Sequence, residues 1–378
     1  MREMPVKPPY LLTPGPLTTS DSVKMAMLRD WGSRDEAFIA MNNDMRARLV
    51  ALAGGEESHV CVPLQGSGTF TVEAVIGSLV PRDGKLLVLV NGAYGTRMVE
   101  MSKVMGRDVE ALEWREDERV DPQMVDARLG ADDSITHVAV VHCETTSGIL
   151  NPIEAVAEVV AAHNRLLIID SMSAFGALAL DARRVPFAAV AASSNKCLEG
   201  VPGMGFALIG RSLLEQCKGN AHSLSLDLFA QWQGFENNGQ WRFTPPTHVV
   251  AAFLQALDEH TAEGGVPGRG ARYARNHEVL VDGMEALGFS CLLPRAIQAP
   301  IIVTFHMPAD PKFDFGDFYD RLSDKGYLIY PGKLTVADSF RVGCIGRLGE
   351  AEMRGALQAI EAVLEDMGVH DRAPAAAV

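Results

Sequence analysis

The sequence predicts an α/β fold, with a large domain built on a mostly parallel central sheet and a smaller C-terminal α+β domain. Three observations predict it. The chain has 378 residues, more than one hydrophobic core usually supports. Apolar runs alternate with helical patterns along most of its length. Most of these runs lack polar alternation, so their strands are covered on both faces, as in parallel sheets.

The runs come in order as "HVCVPL" from His59, "KLLVLV" from Lys85, "THVAVVH" from Thr136, "RLLIID" from Arg165 and "PFAAVAAS" from Pro186. In sheets of this kind ligands bind beyond the carboxyl ends of the strands, so the residues just after each run are the candidates for function. The first run leads into "QGSGTF", residues 65–70, and then the helical pattern "TVEAVIGSLV". Ser67, Gly68 and Thr69 therefore sit at a helix N-terminus, where free N–H groups and the helix dipole favour a phosphate; an ordinary capping turn is the plainer reading. The stretch is neither a Walker A loop nor a dinucleotide fingerprint. The second run ends in "NGAYG", which puts Tyr94 beside the same crevice, either stacked on a flat ring or packed on the helix start. The third ends in "HCETTSG", a hydroxyl-rich loop holding Thr145, Thr146 and Ser147. The fourth ends in Asp170, a helix cap or the partner of a buried cation. Beyond the fifth lies Lys196 in "SSNKCLEG". A snorkelling lysine is the common case, and a lysine kept for covalent chemistry the sharper one.

Composition narrows the partners. A net charge of -14 and a pI near 5.2 disfavour nucleic acid and anionic membrane, both of which select basic faces. The N-terminus has no basic segment followed by an apolar run and a cleavage site, and no apolar stretch is long enough to span a bilayer, so a cytoplasmic protein is expected. Six cysteines stand apart, without a Cys-x-x-Cys pair or clustered histidines; this pattern fits reduced thiols, and no metal is expected.

Asp170 and Lys196 both emerge at one sheet edge, beside a phosphate cup and an aromatic plate. Together they describe pyridoxal 5′-phosphate: a lysine amine that condenses with the aldehyde, a carboxylate that keeps the ring nitrogen protonated, helix N–H donors for the phosphate and a ring to fix the plane. Each part alone is weak. The conjunction in this order favours the covalent reading of Lys196.

The stretches "LLTPGPLTTS", "LQGSGTFTVEAV", "NGAYGTRMVEM", "SSNKCLEGVPG", "SLSLDL", "QWRFTPPTH" and "YPGK" closely resemble those of the 2-aminoethylphosphonate:pyruvate transaminases, in the class V group of fold-type I pyridoxal-phosphate enzymes. The likeness runs from about Tyr10 to about Met367. It implies that Lys196 binds the cofactor and moves the substrate proton, and that Asp170 holds the ring nitrogen. Ser67, Gly68 and Thr69 would take the phosphate with Asn195 beside them, and Tyr94 would stack on the ring. Thr146 and Ser193 join as further cofactor contacts. Thr244 in "RFTPPTH" would reach the neighbouring subunit's phosphate, so a homodimer with shared active sites is implied. Arg341 in "FRVGCIG" would bind the substrate carboxylate and, in turn, the phosphonate, helped by backbone N–H groups near Gly15; a surface ion pair is the common fate of a lone arginine. The activity implied is ping-pong transamination of 2-aminoethylphosphonate and pyruvate to phosphonoacetaldehyde and L-alanine, in phosphonate degradation.

One departure is Arg34 in "DWGSRDEAF", where the family pattern has an aromatic; it reads either as paired with Asp30 or Asp35 or as extra charge at the substrate entrance. Alanine- or serine-glyoxylate aminotransferase is the alternative activity. A cofactor-binding sensor without turnover is a further one, disfavoured by the complete Lys196, Asp170 and Arg341 set. Cys197 and His142 read as core residues. The expected organisation is an N-terminal arm over 1–20, a large cofactor domain over 21–262, a small domain over 263–370 opened by the glycine-rich "EGGVPGRGARYARNHE", and a disordered tail over 371–378.

Overall fold

The computed structural model describes residues 8–374 except 333, 335 and 336. Seven strands form the central sheet: β1 His59–Gln65, β2 Lys85–Val90, β3 Asp108–Glu113, β4 Ile135–Val141, β5 Leu166–Asp170, β6 Ala189–Ser193 and β7 Met204–Gly210. Their order is β1-β7-β6-β5-β4-β2-β3. All neighbours run parallel except β7, which is antiparallel to both β1 and β6. The chain is thus α/β with a mostly parallel sheet, as the unbroken apolar runs predict.

The period of two in each strand explains why those runs carry no polar alternation. In β2, Leu87 and Leu89 enter one buried cluster while Leu86, Val88 and Val90 enter the other, on the opposite face of the sheet. Helices Glu36–Leu52, Pro122–Ala131, Ile153–Ala162 and Thr247–Ala262 supply residues to the first cluster. Helix α1 (Gly68–Leu79), helix α2 (Ala93–Val104) and the helix Leu228–Asn238 supply the second. With both faces dry, the interior strands are almost wholly apolar.

Two strands escaped the sequence reading. β3 alternates charged and apolar residues because it lies at the sheet edge, half in water. β7 is wholly apolar, and what its sequence does not reveal is its reversed direction.

Beyond α3 (Gly265–Ala286) a second, three-stranded antiparallel sheet of β8 (Ile302–His306), β9 (Tyr330–Pro331) and β10 (Ser339–Gly343) packs with α3 and α4 (Glu350–Met367) around its own core. The N-terminal segment belongs to this core. Tyr10–Leu11 pairs in parallel with Tyr327–Leu328, and Leu12 is fully buried among the C-terminal residues. Residues 371–374, expected to be disordered, are held: the Ala309 N–H donates to the Ala373 carbonyl at 2.9 Å and Arg372 Nη1 to that of Leu287 at 3.0 Å. The remainder of that tail, residues 375–378, lies outside the described residues, as do residues 1–7 of the arm and Lys333 of "YPGK".

Among the described residues no helix is long and apolar enough to cross a membrane, and no group of three or more His, Cys, Asp or Glu could hold a metal ion. All six cysteines are free.

Candidate active site

The register brings the strand ends to one edge. Val141 lies opposite Asp170, and Asp170 opposite Ala191, while Gln65 and Ser193 pair with consecutive residues of β7. Beyond that edge opens a cavity of about 240 Å³. Its walls include Gly15, Ser67, Gly68, Thr69, Tyr94, Asp170, Ser193, Asn195 and Lys196, nine residues that the sequence singles out.

Lys196 projects from the turn after β6. Its Nζ donates to the carbonyl of Pro14 at 2.8 Å and to that of Gly15 at 3.3 Å. The approach needs a glycine, since a Cβ at Gly15 would lie 2.5 Å from Lys196 Cδ and 2.7 Å from Nζ, and its φ of +114° suits no other residue. Gly15 thus meets the lysine itself.

Asp170 ends β5 and is buried, with Oδ1 accepting from the Met172 N–H at 3.0 Å. Burial pushes its carboxyl up to about 6, against the pull of that N–H and of the Lys196 and Arg97 cations. A cationic ring nitrogen placed against it would restore its charge.

Helix α1 starts with Ser67 in the capping position, and Ser67 makes no capping hydrogen bond. Its first-turn N–H groups have no partner within the helix. Gly68 is packed so closely on Met172 that a Cβ there would collide with the thioether. On the adjoining strand, Ser193 Oγ is buried with no hydrogen-bond partner among the described residues. Tested against pyridoxal phosphate, the residues fit: an orphaned hydroxyl and open helix N–H groups for a phosphate, an amine for an aldehyde, and a buried carboxylate for a ring nitrogen.

Three predicted residues do not line this cavity. Thr146 is fully buried with its hydroxyl engaged elsewhere, donating to Glu144 Oε1 at 2.6 Å and accepting from the Ala93 N–H at 3.0 Å; its neighbour Thr145 takes the place in the wall. Thr244 is exposed on the loop before the helix Thr247–Ala262. Arg341, on β10, is 1% exposed and stands behind Thr145, donating from Nη1 to the Thr145 carbonyl at 2.7 Å and from Nε to that of Pro331 at 3.1 Å. It is no surface ion pair: among the described residues none forms a salt bridge with it, and burial lowers its pKa, opposed by Tyr94, Tyr330 and Glu144. A buried guanidinium held by carbonyls and an aromatic ring, with no salt bridge among the described residues, is poised for an anion.

Sequence reasoning missed Arg97 and Glu144. Arg97 lies one helical turn beyond Tyr94, with its guanidinium carbon 5.0 Å from the Tyr94 ring centroid, and lines the cavity; that spacing was the available signal. Arg34 is exposed and makes no ion pair among the described residues, and Asp30 pairs instead with His248 at 3.1 Å. His142 is buried against Ser171 Oγ at 3.1 Å and stays away from the cavity wall.

A parallel α/β sheet with lysine, aspartate and an open helix N-terminus at one edge defines a class of cofactor-dependent transferases. The chain belongs to the class-V aminotransferase family, whose model matches residues 21–323. It is 57% identical over 361 residues to the 2-aminoethylphosphonate–pyruvate transaminase 2 of Burkholderia lata, covering 96% of both chains. It is 55% identical to a 2-aminoethylphosphonate–pyruvate transaminase of Pseudomonas fluorescens, over 97% of this chain and all of that one. Among solved structures, alanine–glyoxylate aminotransferase from Nostoc sp. shares the fold, with a TM-score of 0.89 at 24% identity, over 96% of this chain and 97% of that one.

Proposed function

We propose that the protein transfers the amino group of 2-aminoethylphosphonate to pyruvate with bound pyridoxal 5′-phosphate, giving phosphonoacetaldehyde and L-alanine in the degradation of phosphonates. The observation that carries the reading is the buried Arg341, which forms no salt bridge among the described residues, beside a cavity walled by Lys196 and Asp170; the near full-length identity to relatives of that name supports it. When bound, the cofactor supplies an aldehyde that captures the amine and a ring that withdraws electrons from the adjacent carbon.

The chain's own residues do the rest. Lys196 Nζ takes and returns the proton at the substrate carbon, and the Pro14 and Gly15 carbonyls hold it when it is off that task. Asp170 fixes a protonated ring nitrogen. Ser67, Gly68, Thr69, Ser193 and Asn195 receive the phosphate, and Tyr94 fixes the ring plane. Arg341 grips phosphonate and carboxylate in turn, because donor and acceptor each carry one anionic handle and use one site alternately. Phosphate binding falls partly to a second subunit, through the Thr244 hydroxyl: Thr244 is exposed next to Phe243, which is 41% exposed, and Arg242 Nη1 donates to the carbonyl of Leu224, itself 74% exposed. Such an apolar patch fits the interface of a homodimer with shared active sites. Free, mostly buried thiols fit the cytoplasm.

The test is spectroscopic. Purified holoenzyme should lose its yellow absorbance with 2-aminoethylphosphonate and regain it with pyruvate. A response to alanine or serine alone would move the assignment to the glyoxylate aminotransferases.

A further inference from the structure

Behind the Tyr94 wall lies a carboxylate with no role so far. Glu144 ends the two-residue strand Cys143–Glu144 and is wholly buried. Its Oε1 accepts from the Thr146 N–H at 3.1 Å and from the Thr146 hydroxyl, and its Oε2 from the Tyr94 N–H at 3.3 Å. The N-cap position of helix α2 is Gly92, which has no side chain with which to cap it. The cap therefore comes from across the site: Glu144 takes the Tyr94 N–H and Thr146 Oγ1 the Ala93 N–H, an anion at the positive end of the helix.

Two further contacts make this more than a helix cap. Gly92 has extended backbone that any residue adopts, yet a Cβ there would lie 2.5 Å from Glu144 Cδ, so this glycine serves the close approach of the carboxylate. The carbonyl of the next residue, Thr145, accepts the Arg341 guanidinium at 2.7 Å. One segment thus holds the aromatic wall with its first atoms and the guanidinium with its next.

We propose that Glu144 is a positioning residue of the active site, holding the Tyr94 wall and the anion-binding Arg341 in register with one another. The proposal rests on the function proposed above, in which the cavity takes pyridoxal phosphate and Arg341 the substrate anions. Burial pushes the Glu144 carboxyl up to about 7, with Asp170 raising it further and the Thr146 and Gly95 donors opposing. The titratable groups around the loop include Cys143 on its own strand, Asp170 at the end of β5, Tyr94 and Arg97 on α2, Lys196 and Cys197 after β6, and Arg341 and Tyr330 on the second sheet.

The test uses two variants of the holoenzyme. Glu144→Gln keeps the shape but turns an amide N–H₂ toward donors; Gly92→Ala keeps the charge and pushes it aside. Both should change the visible circular dichroism of the bound cofactor, and both should raise KM for amine donor and keto acid together by about tenfold, with kcat within about threefold of wild type. Wild-type dichroism, or wild-type KM values, in a folded variant would overturn the proposal, whatever the thermal midpoint does, because a merely structural cap moves only the midpoint. If Glu144→Gln is insoluble, Gly92→Ala alone decides between the two outcomes. A wild type that turns over another donor instead would overturn the substrate reading alone, and the same comparison is then made with that donor.

Discussion

The proposed transamination depends most on Lys196, and its neighbours show what a single residue contributes. Replacing it with alanine should lower kcat/KM on the order of 10³-fold or more while Tm moves little, since its amine rests on two carbonyls at the rim of a cavity; stopped turnover in a protein with unchanged far-ultraviolet circular dichroism would establish this. For Asp170 the prediction concerns pH. Its carboxyl is raised to about 6 by burial, so without cofactor the folded protein binds a proton that the unfolded chain releases near 4, and this contribution to stability is lost as pH rises from about 4 to about 6. Asp170→Asn removes that dependence. Relative to wild type, the cofactor-free variant should be equally stable at pH 4 and up to about 3 kcal/mol more stable at pH 8, read as urea midpoints. Bound cofactor should reverse the ranking.

At the scale of elements, five strands of the central sheet were legible as unbroken apolar runs, because burial on both faces erases the ordinary alternation. Asp108–Glu113 was not, since an edge strand with charged residues reads as loop. The helix carrying Tyr94 depends on a glycine for its seat: a Cβ at Gly95 would lie 3.0 Å from the Val90 Cα, which is backbone and cannot yield. Gly95→Ala should lift α2 off β2, cost about 1–3 kcal/mol in stability and weaken cofactor binding about tenfold, measurable by titrating the apoprotein with pyridoxal phosphate. The loop after β4 shows the limit of reading hydroxyls from sequence. In "ETTSG" the turn sends Thr145 to the cavity and Thr146 to Glu144, a choice that composition leaves open.

For the whole molecule, the first residues described and the last elements form one unit. Leu12 sits fully buried in the C-terminal core, and Pro14 and Gly15 follow it directly onto Lys196. Leu12→Ala should therefore cost about 2–5 kcal/mol and also raise KM, because the turn over the lysine loses its anchor; a fall in Tm without a change in KM would separate the two effects. Thr244→Ala should weaken cofactor affinity, and light scattering of the wild type should give twice the chain mass of 40.8 kDa; a monomer of full activity would remove Thr244 from the site. What the sequence determined by itself is five of the seven sheet strands, the edge at which they end, and the lysine, aspartate and helix N-terminus placed there, because each follows from the order of apolar runs along the chain. Only the tertiary structure decided that Arg341 is buried behind the Thr145 carbonyl, that Gly15 lies on the lysine and that Glu144 caps the helix of Tyr94. These contacts join residues far apart in the chain, and packing, not local pattern, sets the distance between them.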